Sequence, residues 1–243
     1  MSVRLQRRRT PALDEFKYLL HSEWTRPVAC QDLCDPPDTC TCLRRIVHVD
    51  AMKQWWLRKP DPASDQSNLL RVLDEIPSGD YPRLLLNPQK LFMGKPTSLV
   101  VFSLLLKLDR GQLIDCFYDS GIFDNDLTFA HHKSLRENLR RIIPYPEVDA
   151  VLQDFNEQKW QFCPLALSLN MSRSLHDTRF IPPFCHKIKM GDNGGTASVY
   201  CIAVQKDLIS DTRLCIAIED SLYEDPDFGP VRLVHTLQAE TLY

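Results

Sequence analysis

Along the first two thirds of the chain the apolar residues recur every three or four positions; after Trp160 they alternate. The first spacing lines one face of an α-helix, the second one face of a β-strand. Leu13, Phe16, Leu19 and Leu20 predict a helix that ends near Trp24. Residues 43–58, with Ile46, Met52, Trp55 and Trp56 apolar, predict another. The stretch 59–68 (KPDPASDQSN) reads as a loop, with Ser67 or Asn68 placed to start a helix that Leu69, Leu70, Val72 and Leu73 carry to Ile76. Pro77-Ser78-Gly79-Asp80 breaks it. Pro96-Thr97 opens a helix through Val100, Val101, Leu104 and Leu105, interrupted at Gly111. Leu113, Ile114 and Phe117 belong to the next, ending at Ser120-Gly121. Leu135, Leu139 and Ile142 mark a helix stopped by Pro144, and Val148, Leu152 and Phe155 mark the last. These apolar stripes are core faces.

Beyond Trp160, Phe162, Leu165, Leu167 and Leu169 share one parity, as in a half-buried strand. Phe180–Met190, Val199–Val204 and Leu214–Ile218 also read as strands, with Pro182-Pro183 at their entry. The expected fold class is α+β. A mostly helical N-terminal region, 1–158, precedes a small antiparallel β-rich segment, 159–243. Residues 1–10 are expected to be disordered, and 25–42 to form a cysteine-rich loop.

Composition adds limits. The apolar and charged fractions are those of an ordinary globular protein. A net charge of −3 argues against a general nucleic-acid binder. Arg4, Arg7, Arg8 and Arg9 form the only basic run, and no apolar segment follows them as in a secretory signal. The longest apolar stretch, Leu99 to Leu106, is too short to cross a bilayer and reads as a buried helix. Nine cysteines without a secretory signal imply reduced thiols in a cytoplasmic or nuclear compartment. Cys116, Cys163, Cys185, Cys201 and Cys215 sit in apolar contexts, as small core residues do. Cys30, Cys34, Cys40 and Cys42, with His48 beyond, are the weak candidates for a metal site. Their C-x3-C-x5-C-x-C spacing lacks a C-x2-C knuckle, which favours a surface loop over zinc.

The most informative stretch is 184–200, FCHKIKMGDNGGTASVY, where Gly191, Gly194 and Gly195 lie between two strand-like runs. Such a turn lets backbone N–H groups approach phosphate oxygens with no side chain in the way. Aligned on Val199, the protein-kinase pattern G-x-G-x-x-G-x-V places Ala197 at the third glycine and Gly194 at the second. Asp192 falls at the first, with Gly191 one place early. A plain hairpin turn is the alternative reading.

The surroundings strengthen the match. Residues 181–204, IPPFCHKIKMGDNGGTASVYCIAV, resemble the opening of the kinase domain in a group of protein-kinase-like proteins from filamentous fungi. Phe155, Gln158, Trp160, Phe162 and Pro164 match their FxxxQWxFxP pattern, and 101–122 resembles their helical pre-kinase region. The resemblance covers about 97–243 and is specific only near 181–204. It implies that 159–243 is a partial kinase N-lobe, with Gly191, Gly194, Gly195, Ala197 and Val199 as a degenerate nucleotide loop. A kinase also needs a third-strand lysine against the nucleotide phosphates. One alignment uses Leu214–Ile218 as that strand and puts Glu219 at the lysine position; another uses Leu233-Val234-His235 and puts Thr236 there. No H-R-D-x-x-x-x-N motif occurs. Asp227-Phe228-Gly229 spells the magnesium-binding triplet, but it follows the glycine loop too closely and reads as an acidic turn. His176-Asp177 precedes the loop and reads as a surface turn.

No other catalytic set stands out. His131-His132 reads as an exposed helix start, and Asp124 and Asp126 as a polar loop without the pattern of a calcium site. The expected function is that of a truncated protein-kinase-like protein, a pseudokinase unable to transfer phosphate. It would have no catalytic residues and no cofactor beyond a weak ATP contact. One alternative is a helical module that binds an unknown protein partner and carries a vestigial kinase-like tail. Another is the front fragment of an active Ser/Thr protein kinase. Neither a nucleic acid nor a membrane is an expected partner. An incomplete lobe would leave the face of 199–218 exposed and promote self-association.

Overall fold

A computed structural model describes residues 11–28, 44–60, 66–76, 96–127, 132–164, 167–168, 181, 184–190, 197–209, 211–225 and 229–239. The architecture is α+β and rich in helix, with small antiparallel sheets. The chain forms two compact units, one of residues 1–24 and 49–159, the other of 25–48 and 160–243. The expected division after residue 158 falls one position from the break after Lys159. Residues 25–48, however, belong to the second unit and not to the helical one.

The first unit contains α1 (Ala12–Ser22), α2 (Val49–Leu57), α3 (Asn68–Glu75), α4 (Leu99–Lys107), α5 (Ile114–Asp119), α6 (His132–Leu139) and α7 (Tyr145–Gln158). Ala12, Phe16 and Leu20 bury one face of α1 at four-residue spacing, and Met52, with Trp55 and Trp56 three and four positions on, buries one face of α2. Phe16 sits 4.7 Å from Trp56 and 5.8 Å from both Trp24 and Trp55, centroid to centroid. Trp56 in turn lies 5.6 Å from Phe102. This aromatic cluster joins α1, α2 and α4. The Trp56 indole nitrogen donates to Ser103 Oγ at 2.9 Å, and that hydroxyl donates to the Leu99 carbonyl at 2.8 Å. Every residue of α4 from Leu99 to Leu106 is buried, as expected of a helix apolar on all sides. Ser67 caps α3 through the Leu70 N–H, as its sequence predicts.

Two helix starts are held from a distance. The first N–H groups of a helix have no partner within it. At α1, preceded by Pro11, the Ala12 and Leu13 N–H groups donate to the two carboxylate oxygens of Glu75, each at 2.8 Å. At α4, Asp124 accepts from the N–H groups of Leu99, Val100 and Val101 at 3.1, 2.8 and 3.1 Å, and from Thr97 Oγ1 at 2.8 Å. Each carboxylate also meets the positive end of a helix dipole.

Gly111 does not itself stop α4. The helix ends at Lys107, and Asp109 takes the left-handed conformation with φ 58°. A Cβ at Gly111 would stand 2.5 Å from Leu106 Cδ2, so that side chain would have to shift. Gly121, with φ +72°, terminates α5 as expected.

The second unit holds β1 (Thr25–Val28), β2 (Arg44–Val47), β3 (Phe184–Lys189), β4 (Ala197–Gln205), α8 (Thr212–Ala217), β5 (Leu222–Asp225) and β6 (Gly229–Ala239). β1 and β2 form an antiparallel pair with Thr25 opposite Val47; the other sheet is antiparallel in the order β3-β4-β6-β5. Ile202 and Val204 of β4 pack with Ile209 and with Leu214 of α8, forming a small core on one sheet face. The expected exposed face of 199–218 is therefore not found over Ile202–Gln205, which are buried, on a strand flanked by neighbours on both sides.

Three other expectations fail here for nonlocal reasons. Residues 43–58 are not one helix, because Arg44–Val47 pairs with β1 before α2 begins. The strand expected over 162–169 is absent among the described residues there. A 3-10 turn covers Lys159–Phe162, and Leu167 makes one isolated bridge to Ile209. Leu214–Ile218 is not a strand but mostly α8. Asp211 accepts from the Arg213 and Leu214 N–H groups at 2.8 and 3.3 Å and starts that helix. At its other end Arg232 Nη1 donates to the carbonyls of Cys215 and Ile218 at 3.0 and 2.9 Å. Capping at both ends overrides the β propensity of the isoleucines.

Candidate functional site

The glycine-rich connection lies between β3 and β4. Those strands pair with Lys189 opposite Tyr200, Ile188 opposite Cys201, Lys187 opposite Ile202 and His186 opposite Ala203. Gly191, Gly194 and Gly195 fall outside the described residues. Ala197 opens β4 opposite Ala239, and Val199 stands opposite Leu237. Being two apart on one strand, Ala197 and Val199 share a sheet face. The structure thus places two of the five loop candidates side by side.

The two alignments for the expected third-strand lysine position can be compared with the strand register. The first alignment fails because Leu214–Ile218 is helical and Glu219 lies in an exposed turn. No glutamate takes the lysine position on a strand. β6 is the strand that pairs with β4, and the second alignment falls on it. There Thr236 stands opposite Tyr200, which puts it on the alternate face from Val199 and Leu237. A residue that shared a nucleotide with Val199 would have to be Leu237, His235 or Leu233. β6, GPVRLVHTLQA, contains no lysine at all. Its one arginine, Arg232, is buried and bonded to the end of α8.

Gly229 of the D-F-G triplet is the first residue of β6 and pairs with Asp225; Asp227 and Phe228 fall outside the described residues, as does His176-Asp177. So do Cys30, Cys34, Cys40 and Cys42. Among the described residues no group of three or more His, Cys, Asp or Glu side chains could hold a metal. Cys116 is buried, and Cys163, Cys201 and Cys215 are half-buried. His132 begins α6.

Sequence reasoning missed the role of Asp124. Its carboxylate faces the α4 start. Burial pushes it above the ordinary carboxylate range, while hydrogen bonds from Thr97, Val101 and Val100 and the charge of Lys53 oppose that shift. Ser98, which precedes the helix, makes no side-chain cap, and its hydroxyl is buried without a partner. Cys116 is the other strongly shifted group. Burial, with the charges of Asp115 and Asp119, pushes its thiol up to about 11. Burial therefore favours the neutral thiol there.

A second buried polar feature lies on the sheet. Gln205, at the end of β4 opposite Val231, is 2% exposed, and neither atom of its amide has a hydrogen-bond partner. Among the described residues no helix is long and apolar enough to cross a membrane. No family model, curated protein or solved structure matches this chain.

Proposed function

We propose that this chain is a protein-kinase-like protein with a degenerate nucleotide lobe, one that transfers no phosphate. The resemblance over 181–204 supports the reading, as does the order β3-β4-β6. Two antiparallel strands flank a glycine-rich connection, and a third runs antiparallel beside the second. The composition of that third strand carries the loss of activity. Phosphoryl transfer needs a lysine on it to bind the α- and β-phosphates and a catalytic aspartate to orient the acceptor. β6 has no lysine, and the chain has no H-R-D motif. The backbone of 191–198 would be left with a weak ATP contact at most.

The test is incubation of the purified chain with magnesium and γ-labelled ATP, alone and with a generic protein substrate. No label is expected on either protein. Label on the chain that disappears with substitution of Gly194 would overturn the reading.

A second reading, a helical module for a protein partner, draws on one observation. The first unit has its own aromatic core and caps its own helices. Thr25 and Val47 are ladder partners, so the two chain ends of the inserted 25–48 segment lie about 5 Å apart. Residues 1–159 with 25–48 replaced by a short Gly-Ser turn should therefore fold. Capture of the same partner by this shortened chain and by the full chain would favour the module reading.

A further inference from the structure

Among the described residues the four-stranded sheet has three strand edges without a ladder partner, and it guards two of them. On one side β3, FCHKIK, contains Lys187 and Lys189, and β1 runs close to it without joining its ladder. On the other β5 is only four residues long and ends in Glu224 and Asp225. Short strands and charged residues are the usual devices against unwanted pairing at an edge. The third edge is a step inside the sheet. β4 pairs with β6 along 231–239, but β5 pairs with it only along 229–232. Before Leu222 the chain folds back in a 3-10 turn, where the N–H and Oγ of Ser221 both donate to the Ile218 carbonyl, at 3.1 and 2.7 Å. Among the described residues no strand therefore lies on the β5 side of 233–239. Along such a stretch every second residue turns its N–H and C=O away from its one neighbour.

This edge has none of the guards of the other two. Its sequence, LVHTLQA, contains no Pro, Lys, Arg, Asp or Glu. The two residues of β6 that discourage pairing, Pro230 and Arg232, both lie in the part that β5 already covers, and Arg232 is bonded to the end of α8. Leu233, at the start of the stretch, is 42% exposed. A long, uncharged edge is a template for another strand. We infer that two copies of this chain pair through it, antiparallel about a two-fold axis, and so join their sheets edge to edge. The occupant is a second copy because the stretch suits itself: it brings no like charges together across the axis. With the axis at Thr236, the middle of the stretch, Val234 stands opposite Gln238 of the partner subunit and His235 opposite Leu237 of the partner subunit. Thr236 then meets Thr236 of the partner subunit, and threonine pairs across strands are favourable. Such a contact is isologous and closes at two copies. Its hydrogen bonds join uncharged stretches, so it does not depend on low salt.

Sedimentation velocity of the full chain across a concentration series, with hydrogen exchange read peptide by peptide on the same samples, tests this. The mass should rise from monomer to dimer and no further, in about 0.1 M and about 1 M salt alike, and protection of 233–239 should rise in step with it. Thr236→Lys and Thr236→Glu each set like charges opposite one another across the axis, and each alone should associate roughly tenfold more weakly or worse. An equal mixture of the two should regain association, since lysine then meets glutamate. A chain that stays monomeric at every concentration overturns the inference, whether 233–239 exchanges fast, as an edge kept for a different protein would, or slowly, as one covered by its own chain would. Growth beyond two copies, association lost in about 1 M salt, a dimer in which 233–239 gains no protection, or a mixture as weak as either variant alone overturns it too. Where a Thr236 variant does not fold, the mass and exchange of the unaltered chain decide.

Discussion

The two units solve the same problem with very different redundancy. In the first, Phe16, Trp24, Trp55, Trp56 and Phe102 interlock, α4 is buried from Leu99 to Leu106, and Glu75 and Asp124 cap helices from 63 and 24 residues away in sequence. In the second, Ile202, Val204, Ile209 and Leu214 form a small core on one sheet face, and the amide of Gln205 is buried with no partner. A buried amide without partners costs free energy that a core residue would not. The contrast teaches what holds each unit. Among the described residues the interlocked aromatic rings and the distant helix caps belong to the helical unit, while the second unit buries an amide without a partner.

The sharpest way to break the comparison is Trp56→Ala. It empties the middle of the aromatic cluster and leaves Ser103 with a lost donor. A loss of about 3–5 kcal/mol is expected for an aromatic truncation of this kind. Peptide-resolved hydrogen exchange should show it across α1, α2 and α4. Protection unchanged in those helices would remove the claim that the cluster organises them.

Asp124→Ala should come next. It strands the N–H groups of Leu99, Val100 and Val101 at the start of a buried helix, at a cost of about 2–3 kcal/mol. Asp124→Asn retains an acceptor and should lose less. If the two variants unfold alike in urea, the carboxylate is not the cap.

The helical unit was largely legible in the sequence, because its signals are local. The four-residue spacing of Phe16 and Leu20, the Ser67 cap and the Gly121 stop each act within one or two turns. What the sequence hid there was the pair of distant caps, since nothing near Asp124 names α4 as its target. The second unit was legible only in part, since its elements depend on partners far along the chain. Arg44–Val47 becomes a strand because Thr25–Val28 lies beside it, and Leu214–Ile218 becomes helical because Asp211 and Arg232 satisfy its ends. The candidate site shows the same limit. The glycine motif can be read directly, but which residue faces Val199 depends on the β4–β6 register, which puts Leu237 opposite Val199 and Thr236 opposite Tyr200.

Two substitutions of the second unit sharpen the contrast from opposite sides. Arg232→Leu removes both donors to the end of α8 and should cost about 1–2 kcal/mol. The loss should appear in exchange of α8 and β6. Gln205→Leu does the reverse. It replaces an unpartnered buried amide with apolar atoms of similar size and should stabilise the unit by about 1 kcal/mol. Destabilisation by Gln205→Leu would show that the amide has a partner in solution, such as an ordered water or a ligand, and would make Gln205 the next residue to test for binding.

The smallest effect concerns Cys116. Its thiol is raised in the folded state from 9.0 to about 11, so between those values the native chain holds a proton that the unfolded chain releases. Stability then falls as pH rises through that window and is unaffected below it. Unfolding in urea at pH 8 and pH 10 should show a loss in the first unit, and Cys116→Ala should reduce the pH dependence. The same burial makes Cys116 slow to alkylate. In a pulse of iodoacetamide at pH 8, peptide mapping should find it unlabelled until α5 opens, because only the thiolate reacts. Rapid labelling in native buffer would mean that α5 opens without global unfolding, and the helical unit would then be less uniformly held than its aromatic core suggests.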